Sequence, residues 1–255
     1  MTNKINNNSI NSRYIPSQCR QTLTICEGSK GGIGKSMLAT TIGTLLLAGS
    51  EPLTLIEADR ANPDVARRFA KHAPVLLADV SDRDGWIALL DALETITTPH
   101  IVMSLPAGLN EIESIQHLLR RTLLSLDIDL QLIFCLSRQY DSVELIGKSL
   151  ISGLASFAQH GIAIKNGFFG RNDQFDRWQN SQQRKQWLEK GFSEAYIPEL
   201  NHRIVDFLES HPQPLHQLST GLTTALRLDL EDWLQAAKNS LKPSILDANT
   251  LVEVA

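Results

Sequence analysis

The sequence predicts an α/β fold, a doubly wound and mostly parallel sheet with helices on both faces. Three observations carry that expectation. Apolar runs of strand length alternate with segments of helical period between residues 22 and 165. A glycine-rich stretch stands between the first strand and the first helix. The 255 residues are 42% hydrophobic and 20% charged, which suffices for one full core. In such an alternation each helix crosses a sheet face, so the strands are buried on both sides and ligands meet their carboxyl ends.

The elements read in order as follows. Thr22 to Cys26 is a short apolar strand, and Ser36 to Ala48 repeats its apolar residues with helical period. Leu53 to Glu57 is the second strand, and Asn62 before Pro63 signals the start of a helix. A strand from Val75 to Ala78, a helix from Asp84 to Leu93 and a strand from His100 to Ser104 follow. A helix from Asn110 to Leu126, a strand from Asp129 to Leu136, a helix from Asp141 to His160 and a strand from Gly161 to Lys165 complete the regular part. The stretch from Asn166 to Ser193 is polar and aromatic, without a clear period. A short segment then ends at Pro198, and helical patterns run from Asn201 to Glu209 and from Leu215 to Leu241. No repeat or linker divides the chain, so one domain is expected over residues 21–240, with tails at 1–20 and 241–255. The first tail holds five asparagines and three basic residues but no acidic ones, a composition expected to be disordered.

Composition also excludes. With 24 basic and 28 acidic residues the formal charge is −4, so attraction of the whole surface to nucleic acid is not expected and any such binding must be local. Cys19, Cys26 and Cys135 lie far apart and suit a reducing, cytoplasmic setting. Neither they nor the seven histidines show metal-ligand spacing. No apolar run is long enough to span a bilayer, and the first twenty residues lack a signal peptide's apolar core, so no membrane role is expected.

The sharpest chemical signal is GSKGGIGKS, Gly28 to Ser36, between a strand and a helix. Gly31, Gly32 and Gly34 let the backbone turn so that N–H groups converge on an anion, and the helix behind them adds its positive end. Lys35 has the reach for β and γ phosphates, and Ser36 offers the hydroxyl that such loops give to Mg²⁺. The stretch resembles the loop of the deviant Walker A ATPases, the ParA and MinD superfamily, which reads x-K-G-G-x-G-K-[ST]. That resemblance implies a P-loop NTPase fold that binds ATP and Mg²⁺ along Ser29, Lys30, Gly31, Gly32, Ile33, Gly34, Lys35, Ser36 and Met37. It further implies a homodimer sandwiching ATP, in which Lys30 crosses to the phosphates of the partner. Lys30, Lys35 and Asp59 are then the expected catalytic residues, and Ser36 with Asp59, acting through water, the metal site.

Two later segments resemble the family's switches. Glu57 and Asp59 occupy the carboxylate positions of a D-x-D segment; Asp59 either holds water at the strand's carboxyl end or caps the next helix. In the strand 101–104 and its continuation, Ser104 stands where the second switch has aspartate. A neutral hydroxyl there removes a negative charge from a cation site, so a slow ATPase is expected, with Glu111 or Glu113 as possible substitutes. Asn166 resembles an adenine-reading asparagine, and Pro198 a proline-containing loop beside the base.

The segment 165–190 mixes basic residues with aromatics, and Arg171, Arg177, Arg184, Lys185 and Lys190 are its candidates for non-specific DNA binding. A solvated helix face over core aromatics is the competing reading. The same region is similar to the plasmid-borne StbB, MobD and TraL-like branch, which implies plasmid partition, stability or conjugative mobilisation beside a DNA-bound adaptor. Two rivals stand beside this switch: a nucleotide-gated scaffold without turnover, and a small-molecule kinase or synthetase on the same scaffold.

Overall fold

The computed structural model describes residues 20–28, 30–106 and 112–245. The expected tails fall outside that range, apart from Arg20, which pairs with Asp127 and Asp129 at 2.9 Å each, and the end of the last helix. Seven strands form one sheet: β1 (Gln21–Gly28), β2 (Leu53–Glu57), β3 (Val75–Leu77), β4 (His100–Ser104), β5 (Ile128–Leu136), β6 (His160–Asn166) and β7 (Ser193–Ile197). Their spatial order is β3-β2-β4-β1-β5-β6-β7, and every neighbouring pair is parallel.

Helices cover both faces, as continuous apolar strands require. On one face lie α1 (Lys35–Ala48), α2 (Asp64–Phe69), α8 (His202–Ser210) and α9 (Thr224–Ile245), packed around Ile42, Phe69, Ile204 and Trp233. On the other lie α3 (Arg83–Leu93), α4 (Ile112–Ser125), α5 (Tyr140–Ser152), α6 (Asp176–Gln179) and α7 (Gln182–Glu189), around Trp86, Phe134, Trp178 and Trp187. The strand order reverses direction at β1, with β4 and β5 on its two sides, which leaves a crevice at the carboxyl end of β1.

The early elements match the sequence expectation to within a few residues. The late ones depart from it in three places, one being the run expected as a helix from Leu215, where a 3₁₀ segment, Leu215–Thr220, precedes a helix that starts only at Thr224. The helix expected over residues 141–160 stops at Ser152, because the Ser149 hydroxyl accepts the Ala155 N–H and the chain turns into a short 3₁₀ segment before β6. The stretch 166–193 is well organised: α6 and α7 deliver Phe175, Trp178 and Trp187 to the core and lead into β7, a strand the polar sequence concealed. Trp178 Nε1 reaches Glu194 at 2.9 Å and Trp187 Nε1 the Ser193 carbonyl at 2.7 Å, so both buried indoles are satisfied.

Candidate nucleotide site

β1 ends at Gly28 and α1 begins at Lys35, so the loop between them sits where the crevice opens. Gly32 and Gly34 have φ of 73° and 105°, in the left-handed region that glycine enters without strain. At Gly34 a Cβ would also come within 2.6 Å of Asn166 Nδ2. The loop is braced from below: Cys135 Sγ and Asn166 Nδ2 both donate to the Ile33 carbonyl, each at 2.9 Å. Two strands thereby fix one carbonyl, which orients the peptide groups that follow.

Lys35 is buried and donates to the Lys30 carbonyl at 3.0 Å, folding its ammonium across the loop. Burial pushes its pKa down, partly offset by the nearby carboxylates of Asp59 and Glu27. Ser36 Oγ lies 3.5 Å from Ser104 Oγ, so the residue in the aspartate's place does face the helix start. Lys30 points elsewhere. Its ammonium contacts Asp141 and lies 3.3 Å from Gln139 Oε1, and this contact holds the Asp141 carboxyl below its usual range. Ser29 lies outside the described residues, as do Glu111 and the side chain of Glu113.

Asp59 Oδ1 accepts the N–H groups of Ala61 and Asn62, both at 3.1 Å, forming a turn just ahead of α2. Oδ2 takes no hydrogen bond among the described residues. The turn hangs on Glu57, which is 0% exposed: Oε1 accepts the Asp59 N–H at 3.1 Å and Oε2 the Val65 N–H at 3.0 Å. Burial raises the Glu57 pKa, and these backbone hydrogen bonds oppose the rise. Glu57 therefore positions the Asp59 turn and the start of α2 together.

A cavity of about 210 Å³ opens beside the loop, mostly apolar, and its lining brings together Gly32, Gly34, Met37, Asn166 and Pro198 from four separate segments. Phe168, 65% exposed, stands at its edge, edge-on to Phe169 at 5.2 Å. Asn166 lines the cavity with its amide already divided between the Ile33 carbonyl and the Phe168 N–H. Trp233 Nε1 donates to the Pro198 carbonyl at 2.8 Å and holds that wall in place.

The fold is that of a P-loop NTPase, with the strand order and the loop placement just described. Among solved structures the chain is similar to the MinD cell division protein of Aquifex aeolicus, at 16% identity and a TM-score of 0.50, covering 84% of this chain and 95% of that one. It is also similar to a MinC:MinD cell division protein complex of Aquifex aeolicus, at 15% identity and a TM-score of 0.49, covering 84% and 94%. Among curated proteins it is similar to Protein MobD of Acidithiobacillus ferrooxidans, 27% identical over 223 residues, which are 87% of this chain and 97% of that protein. No family model matches the chain.

Three groups at this site escaped sequence reasoning. Cys135 braces the loop from β5, a role no spacing reveals. Phe168 stands at the cavity edge only because β6 ends there. Glu27, on β1 just before the loop, accepts a hydrogen bond from Ser149 Oγ at 3.2 Å, and burial raises its pKa to about 7 against the pull of Ser149 and Lys35. Its one sequence signal is a carboxylate directly after the apolar run 22–26 and just before the glycine-rich loop. The basic candidates of the late region are placed as follows. Arg184 binds Glu194 through Nε at 2.7 Å and a terminal nitrogen at 3.1 Å, Arg177 donates to the Arg138 carbonyl, and Arg171 pairs with Asp173. Lys190 lies over the Phe192 ring at 5.3 Å, and Lys185 is exposed. Among the described residues no helix is long and apolar enough to cross a membrane.

Proposed function

We propose that this chain binds ATP in the crevice above β1 and uses it as a dimerising switch, hydrolysing it slowly. One observation carries the reading: the loop that ends in Lys35 and Ser36 opens onto an apolar cavity of base size, walled by Met37, Phe168 and Pro198. Loop N–H groups and Lys35 take the phosphates, and the cavity takes the purine by apolar contact, with Asn166 serving mainly as the brace of the loop.

The donor set fits a metal that arrives with the nucleotide. Two facing hydroxyls, Ser36 and Ser104, suit Mg²⁺ carried by phosphates and water, while no cluster of three or more His, Cys, Asp or Glu among the described residues forms a resident metal site. Ser36 would hold that ion, with Asp59 through water, and Mg²⁺ would offset phosphate charge. Asp59 Oδ2 is the available acceptor for an attacking water. Ser104 contributes no charge, and for that reason turnover is slow. Lys30 must exchange Asp141 for the phosphates of a second copy, so dimerisation requires an accessible ion pair to open.

The similarity to MobD, extending over nearly the whole of both chains, supports placing this switch in plasmid mobilisation or maintenance, beside a DNA-bound adaptor. Non-specific DNA contact is assigned to Arg177, Lys185 and Lys190, since Arg171 pairs with Asp173 and Arg184 with Glu194. Sizing with ATP and with ADP, alongside phosphate release with and without duplex DNA, tests the scheme. ATP-only dimers with slow, DNA-sensitive release support it. Dimers without release leave a nucleotide-gated scaffold, and a monomer indifferent to nucleotide contradicts the switch.

A further inference from the structure

Consecutive residues of a strand face opposite sides of the sheet, so Asn166 faces the nucleotide cavity and Lys165 faces away from it. Lys165 is only 6% exposed, yet its ammonium has no hydrogen-bond acceptor among the described residues. Its one ion-pair partner among the described residues, Glu194, is 3.7 Å away. That carboxylate is already committed: Arg184 binds both of its oxygens and Trp178 Nε1 one of them. A recessed ammonium whose only carboxylate neighbour is shared with two other donors has donors left for an anion that enters beside it.

Lys165 instead lines a cleft of about 620 Å³ at the carboxyl ends of β6 and β7, together with Arg171, Asn172, Asp173, Gln179 and Tyr196. Arg171 stands at the exposed rim, and Lys165 and Tyr196 are register partners of the two strands, so a cation and a phenol lie side by side. We infer that this cleft is a second binding site, distinct from the nucleotide crevice, for a small molecule bearing a carboxylate or phosphate. Lys165 takes the anion from one side and Arg171 swings from Asp173 to take it from the other. Tyr196 and the amides of Asn172 and Gln179 supply neutral hydrogen bonds. A small ligand fits better than nucleic acid. The deep cation is within reach of a single inserted group, while Asp173 at the rim repels a polyanion.

The test separates this site from the loop by working in the full-length Lys35→Ala variant, whose phosphate loop is disabled. Calorimetry with inorganic phosphate and with malonate is expected to show one saturable site for at least one of them, weakened tenfold or more by adding Lys165→Met or Arg171→Ala. Preference for phosphate indicates a phosphorylated ligand, and preference for malonate a carboxylate. Arg171 is exposed, so its variant cannot fail merely by unfolding. No saturable binding of either anion, binding unaffected by both substitutions, or displacement of the anion by duplex DNA would overturn the assignment. Because Lys35 is already removed, each result is independent of whether the loop binds ATP.

Discussion

Ser104 is the residue on which the proposed chemistry turns. Its hydroxyl faces Ser36 at the start of α1, where a carboxylate would add a charge beside the incoming cation. Ser104→Asp is therefore expected to raise the steady-state hydrolysis rate at least tenfold, about 1.4 kcal/mol in the barrier, while ATP affinity changes much less. Equal rates for the two proteins would remove Ser104 as the cause of slow turnover. Glu27 makes a separate prediction. Its folded pKa of about 7 lies above the ordinary carboxylate value, so the unfolded chain ionises first as pH rises. The stability present below pH ~4.5 is then lost progressively up to about pH 7. Glu27→Gln removes this loss, so thermal melts of the variant should gain on the wild type across that window and run parallel above it. A constant gap from pH 4 to pH 8 would mean that Glu27 does not titrate as described.

The elements least visible in the sequence are α6, α7 and β7, and their residues explain why. Polar side chains dominate residues 171–190, so neither period stands out, and the helices are held by a few large aromatics spaced far apart. Arg184 looks, in the sequence, like one more basic surface residue. In the fold it is a brace, tying α7 to β7 through Glu194, whose second partner is Trp178. Arg184→Ala should consequently cost about 1–3 kcal/mol of stability in denaturant melts, and Trp178→Ala about 3–5 kcal/mol. A loss below 0.5 kcal/mol for Arg184→Ala would return it to the solvated surface. DNA retention should accordingly be tested with charge reversals at Lys185 and Arg177, which can change binding without loosening the brace. By contrast, β1, α1 and β2 were legible almost to the residue. They are nearly continuous apolar runs, buried on almost every side, and the glycines between β1 and α1 punctuate them.

At the scale of the whole molecule, the sheet order creates one crevice, and the phosphate loop, the Asp59 turn and the Ser104 strand end all converge on it. That convergence was readable because each segment ends a parallel strand, and such ends share one edge of the sheet. The bracing was hidden. Cys135, Asn166 and Glu57 act through contacts between residues tens of positions apart or through single buried hydrogen bonds, and no local pattern records them. The same holds for Lys30, whose present partner lies on α5, over a hundred residues away. The most direct measurement is calorimetric titration of the folded, full-length chain and of Lys35→Ala with MgATP. The wild type should show saturable binding, weakened a hundredfold or more in the variant. No heat with any purine triphosphate from correctly folded wild type, or equal binding by Lys35→Ala, would contradict the assignment of this crevice to a nucleotide.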